Sequence, residues 1–202
     1  CRAAYGRTPA QLLDEAGFLT GRTSAVHATH LTGVDIGLLG SSATYACFCP
    51  TTERDLADGI GPSAALRDAG SPLTLGSDSH AVIDLFEEMR AVELDERLAT
   101  QRRGTWSSAE LLAAATANGH RSLGFPDAGR IEPGARADLV TIRLDSVRTA
   151  GTGATAETAV FAATAADVTS AITDGRQIVA EGKHVALDVP ADLTAVIQEL
   201  TP

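Results

Sequence analysis

Three short apolar runs, each followed by a helical segment, constrain this chain more than any other feature. The runs cover 24–30, 43–48 and 72–76. Between and after them lie segments that read as helices, at 34–39, 61–69 and 83–102. In the last of these, Leu85, Met89, Val92 and Leu98 recur at near-helical spacing. A short buried strand that repeatedly leads into a helix predicts parallel β/α units, because parallel neighbours need a crossover connection. The flanking signals agree. Thr8 and Pro9 open a helix that Gly17 closes, and Ser107 with Glu110 forms a capping box before a helix over 111–117.

From Gly124 onward the pattern changes. Turn residues separate short β runs at 137–142, 168–172, 177–180 and 184–187, with Gly151 to Ala156 read as a loop. Asp174-Gly175 and Glu181-Gly182 are hairpin-type dipeptides. A helix over 191–200 closes the chain. The expected organisation is therefore β/α units over 1–126, then a small β domain with a C-terminal helix over 127–202.

Composition narrows the function. The chain has 202 residues, 44% hydrophobic and 21% charged, which suits a folded core. No apolar run reaches the ~18 residues that span a bilayer. The formal charge is -10, from 26 acidic and 16 basic residues, and there is no basic patch for a nucleic acid. Cys1, Cys47 and Cys49 are too few for a disulfide scaffold and fit a reducing, cytoplasmic setting. No secretory segment precedes Cys1, and the expectation is a piece of something longer.

In parallel β/α folds the chemistry sits at the carboxyl ends of strands. The polar residues cluster there. His27 and His30 end the first run, Cys49-Pro50-Thr51-Thr52-Glu53 follows the second, and Asp78-Ser79-His80 follows the third. Asp78 is the sharpest candidate, since a carboxylate at a strand mouth needs a metal, a water or a helix N-terminus as partner. His27 is next, read either as a core histidine or as a catalytic one. On a strand, His30 would point to the opposite face from His27. Thr51, Glu53, Ser79 and His80 are expected to line the substrate. Cys47 and Cys49 are read as core, and His120 and His184 as solvated.

Val26-His27-Ala28-Thr29-His30-Leu31, Cys49 to Glu53 with Asp58-Gly59-Ile60, and Gly76 to His80 with Glu87-Glu88-Met89-Arg90 resemble the amidohydrolase superfamily. Within it they are most similar to the formimidoylglutamate deiminases, which the Cys-Pro-Thr-Thr-Glu run singles out. Gly129 to Val140 and Asp174-Gly175-Arg176 resemble the accessory β domain of such enzymes. The resemblance implies an α/β fold, the C-terminal part of a (β/α)8 metal-dependent hydrolase barrel plus a small β-sandwich accessory domain. It implies one divalent metal, most commonly zinc, that activates water for attack on the C=N carbon of N-formimino-L-glutamate. Asp78 matches the aspartate that contacts the metal and takes the proton. His27 matches the histidine that hydrogen-bonds the attacking water.

The family pattern also requires an H-x-H pair and an H-x-x-E pair, and this sequence contains neither. A complete barrel takes about 250 residues. The chain therefore corresponds to the last three β/α units, and on its own is expected to be inactive and unstable. The implied partners are a small-molecule substrate and, at full length, a second copy of the chain. Two alternatives stay open: a guanine- or amidine-type deaminase, or a non-catalytic half-barrel that needs a partner chain. Arg54, Arg90 and Arg97 are candidates by charge alone for gripping substrate carboxylates, and each could equally be a solvated or helix-pairing arginine.

Overall fold

The structure is a computed structural model and describes residues 1–79 and 82–201. It contains two sheets. The first is parallel, in the order β1 (Ser24–Val26), β2 (Tyr45–Phe48), β3 (Leu73–Leu75). The second is antiparallel, in the order β4 (Leu139–Ile142), β5 (Val168–Thr173), β6 (Arg176–Ala180), β7 (Lys183–His184). Among the described residues this second region contributes one four-stranded sheet.

The helices fall where the caps place them. α1 (Arg2–Tyr5) precedes α2 (Pro9–Glu15), which carries a capping box between Thr8 and Gln11. α3 (Gly33–Ser41) starts at a second box, Thr32 with Asp35. α5 (Ser63–Ala69) ends at Gly70, whose φ of 110° only glycine adopts cheaply. α6 (Leu85–Thr100) is capped by Asp84, whose side chain accepts from the Phe86 and Glu87 amides. α7 (Ser108–Ala113) carries the foreseen Ser107–Glu110 box and runs on through a π-helical turn, Ala114–Asn118, into α8 (Gly119–Ser122). α4 (Pro50–Asp55) is a helix that the sequence reading missed. α9 (Val189–Leu200) ends the chain with no buried residue.

Side chains alternate along a strand, so one face of the parallel sheet can be fully covered by helices. Ala46 and Phe48 of β2 and Leu73 of β3 pack with Leu39, Leu66, Met89, Val92 and Leu111. Val160 joins this core from a π-helical turn, Thr158–Ala162, so a stretch from the later part of the chain completes the hydrophobic centre of the first. Asp84 and Arg90 of the α6 region bind the same stretch. Asp84 accepts from the Ala165 amide at 2.9 Å, and Arg90 donates to the Ala163 carbonyl.

Two buried carboxylates hold loops through hydrogen bonds. Glu93 accepts from the Gly104 and Trp106 amides and from Arg97. Burial opposes its ionisation, but these donors outweigh it and hold its pKa below the usual carboxylate range. Asp167 lies between Arg148 and Thr164 and is held strongly down, above all by the Arg148 guanidinium.

The two foreseen hairpin dipeptides have positive φ at both residues: 49° and 76° at Asp174-Gly175, 49° and 73° at Glu181-Gly182. Two expectations change. The first strand stops at Val26 rather than reaching residue 30, because His27 and Ala28 have φ of 64° and 48°. His30 is therefore not on a strand, and the opposite-face argument does not apply to it. The last β run is Lys183–His184 and not 184–187, because the His184 ring turns back to accept from the Ala186 and Leu187 amides.

Candidate active site

The carboxyl ends of β1, β2 and β3 converge on one imidazole. His27 follows β1, and its backbone amide still donates to the Cys47 carbonyl of β2 at 2.8 Å. The left-handed backbone that begins at His27 turns the chain out of the sheet. Asp78 follows β3 and also has a positive φ, 51°. Non-glycine residues rarely adopt this conformation, and it concentrates where a site over-determines the backbone.

The ring of His27 sits between two carboxylates. Its Nδ1 is 3.2 Å from Glu53 Oε1, and its Nε2 is 3.4 Å from Asp78 Oδ2. Glu53 Oε1 also accepts the Cys49 amide at 2.8 Å. A carboxylate oxygen in that position is an acceptor, so we assign the Nδ1 proton as donated to Glu53. Nε2 is then the ring atom left to handle a proton opposite Asp78. Burial raises the pKa of Glu53, with the Cys49 amide and His27 acting against the rise.

Glu53 and Thr51, expected to line a substrate, are both buried. Glu53 is 4% exposed, and its Oε1 meets both the His27 ring and the Cys49 amide. Thr51 gives its amide and hydroxyl to Glu88 of α6, a fully buried carboxylate whose pKa burial raises. Thr51 also borders an open cleft of about 560 Å³ with Arg54, Asp55, Val82, Asp84 and Glu87, to which neither His27 nor Asp78 contributes. Ser79 is exposed and pairs with Thr52 at 3.0 Å. His80 lies outside the described residues. Thr52 and Glu88 were missed. The signal was present, since Pro50 at a first helical position and Glu53 in the first turn announce α4 and its inward face.

The other candidates are structural. Arg54 pairs with Glu87, Arg90 binds the Phe86 and Ala163 carbonyls, and Arg97 pairs with Glu93 over the Phe161 ring. His120 is not simply solvated: its Nδ1 meets the Thr116 carbonyl at 2.9 Å and its Nε2 lies 3.6 Å from Asp138. Cys49 is buried and Cys47 half-buried, and a Cβ on Gly76 of the neighbouring segment would come within 3.1 Å of the Cys49 sulfur. Hydrogen bonding with Cys49 holds the Cys47 thiol down at about 6, while the same contact and burial push Cys49 up.

Residues 1–178 match the amidohydrolase family. The chain belongs to that family. It is 34% identical over 190 residues to a 5-methylthioadenosine/S-adenosylhomocysteine deaminase of Pelotomaculum thermopropionicum, covering 93% of this chain and 44% of that protein. It is 31% identical over 188 residues to a 5'-deoxyadenosine deaminase of Methanothermobacter thermautotrophicus, covering 92% of this chain and again 44% of the relative. An adenosine deaminase from Xanthomonas campestris, solved with bound zinc, superposes with a TM-score of 0.90 at 30% identity. That match covers 98% of this chain and 46% of the solved one. The chain thus spans less than half the length of these amidohydrolases. Their names are adenosine-type deaminases, whereas the expectation was a formimidoylglutamate deiminase. The substrate reading accordingly moves to the alternative, another aminohydrolase of the superfamily.

A metal fits this donor set only in part. Asp78 offers a carboxylate at a strand end, but a catalytic zinc normally takes three protein ligands. Among the described residues no group of three His, Cys, Asp or Glu side chains lies close enough together to hold an ion.

Proposed function

We propose that the chain is the C-terminal portion of a metal-dependent aminohydrolase, with the last β/α units of a barrel over 1–126 and an accessory β domain over 127–202. The intact enzyme hydrolyses the C–N bond of an amidine-type carbon in a small molecule and releases ammonia. The observation that carries this reading is a single imidazole held between Glu53 and Asp78 at the carboxyl ends of three adjacent parallel strands. Zinc, when bound, lowers the pKa of a water toward ~7 and so supplies the nucleophile.

The chain's own residues handle the proton. Asp78 accepts it from the attacking water and returns it to the departing nitrogen. His27, its Nδ1 proton anchored on Glu53, presents Nε2 to the same water and orients it. One water adds to the carbon, the C–N bond breaks, and ammonia leaves a carbonyl-type product.

The relatives favour an adenosine-type nucleoside, whose amino-bearing ring carbon is a cyclic amidine. A second reading, N-formimino-L-glutamate, is a linear amidine and is favoured by the Cys49 to Glu53 run, whose side chains build the site. Ammonia release by the intact, zinc-loaded protein that carries this chain separates the two. The expected result is release from adenosine, 5'-deoxyadenosine or their thioether analogues. Release from N-formimino-L-glutamate alone selects the second reading, and release from neither overturns both.

A further inference from the structure

We propose that Thr52 is a positioning residue that fixes the aim of Asp78, an inference that rests on Asp78 being the proton-handling carboxylate of the proposed reaction. Thr52 lies on α4 between Thr51 and Glu53, and it is 1% exposed. Its hydroxyl donates to the Ser77 carbonyl at 3.0 Å. It accepts from the Ser79 amide at 3.1 Å and lies 3.0 Å from the Ser79 hydroxyl. A hydroxyl has one proton and two lone pairs. With the Ser79 hydroxyl as donor, all three are used, and every partner belongs to a residue adjoining Asp78.

The arrangement explains why Asp78 holds a left-handed φ of 51° without glycine. The carbonyl before it and the amide after it are tied to one buried atom, so the backbone between them has little freedom. The same helix turn holds the other half of the site. Thr51 anchors it to Glu88 of α6, and Glu53 holds His27. Three consecutive side chains of α4 therefore set the relation between His27, Asp78 and the long helix behind them. The hydroxyl of Thr52 hydrogen-bonds residues 77 and 79, so its effect on the reaction is indirect.

The test uses Thr52→Val and Thr52→Ser in the intact, zinc-loaded protein. Valine keeps the volume and removes the hydroxyl, whereas serine keeps the hydroxyl. The valine variant is expected to lose about 10- to 100-fold in kcat with KM little changed, as expected when a catalytic group is misaimed by a fraction of an ångström. The serine variant should retain most of the activity. Amide hydrogen exchange gives a readout independent of turnover: the Ser79 amide should exchange faster in Thr52→Val and stay protected in Thr52→Ser. Full kcat and unchanged Ser79 exchange in the valine variant would overturn the proposal, and so would equal losses in both variants. If the wild-type protein releases no ammonia from any substrate, the functional reading fails, and the exchange data still decide whether Thr52 holds the loop.

Discussion

Replacing Asp78 with asparagine in the intact protein is expected to cut ammonia release by about 1,000-fold, in the range typical of a lost general acid–base group. Asparagine keeps the shape of the side chain and tolerates the left-handed φ of 51° at this position. The hydrogen bonds that Thr52 makes to residues 77 and 79 do not involve the Asp78 carboxylate, so the loop should stay in place. What is lost is the acceptor for the water's proton, 3.4 Å from His27 Nε2. The change should fall on kcat more than on KM, because a proton acceptor acts in the transition state. Steady-state kinetics decide the matter. A variant with kcat close to wild type would reduce Asp78 to the plainer role that its position also allows, that of closing a loop.

The second large effect concerns the fold. Gly40 of α3 touches the end of α5 directly, and a Cβ there would lie 2.2 Å from the Ala69 carbonyl oxygen and 2.5 Å from the Ala69 Cβ. Gly70 makes the reciprocal contact, its Cβ position lying 2.9 Å from the Gly40 carbonyl oxygen. Two backbones this close leave no flexible side chain to give way. Gly40→Ala must push α3 and α5 apart, at a cost of about 3 kcal/mol. Gly37, one turn earlier in the same helix, has nothing within 4 Å of its Cβ position. Gly37→Ala should be neutral or stabilising by up to about 1 kcal/mol, since alanine is the better helix former. Chemical denaturation of the two variants tests the contact. Equal midpoints for Gly40→Ala and wild type would show that the helices separate freely.

The elements that the sequence disclosed were those with strong local chemistry. The helix start at Thr8-Pro9, the box at Ser107 and the hairpin turns at Asp174 and Glu181 sit where their residues predict. The strand-to-helix alternation was legible for the same reason, because both periodicities are local. His27 and Asp78 were legible as candidates because strand ends collect polar residues in this kind of fold. The partner of His27 was not. Glu53 was read as lining a substrate, and only the turn of α4 brings its carboxylate to the His27 ring. For Thr52 and Glu88 the local signal, Pro50 and Glu53 opening α4, marked a helix but not their partners, which lie 25 to 37 positions away. The early end of β1 also escaped notice. Histidine adopts positive φ more readily than most residues but alanine does not, and the surrounding structure imposes it on both.

Zinc removal tests the central claim most directly. The intact protein that carries this chain should release ammonia from its amidine-type substrate, lose that activity after dialysis against a chelator, and regain it on addition of about one equivalent of zinc. The Asp78→Asn variant should not regain it. Undiminished ammonia release by fully chelated protein, with zinc well below one equivalent, would contradict the account and leave His27, Glu53 and Asp78 as a site for metal-free chemistry.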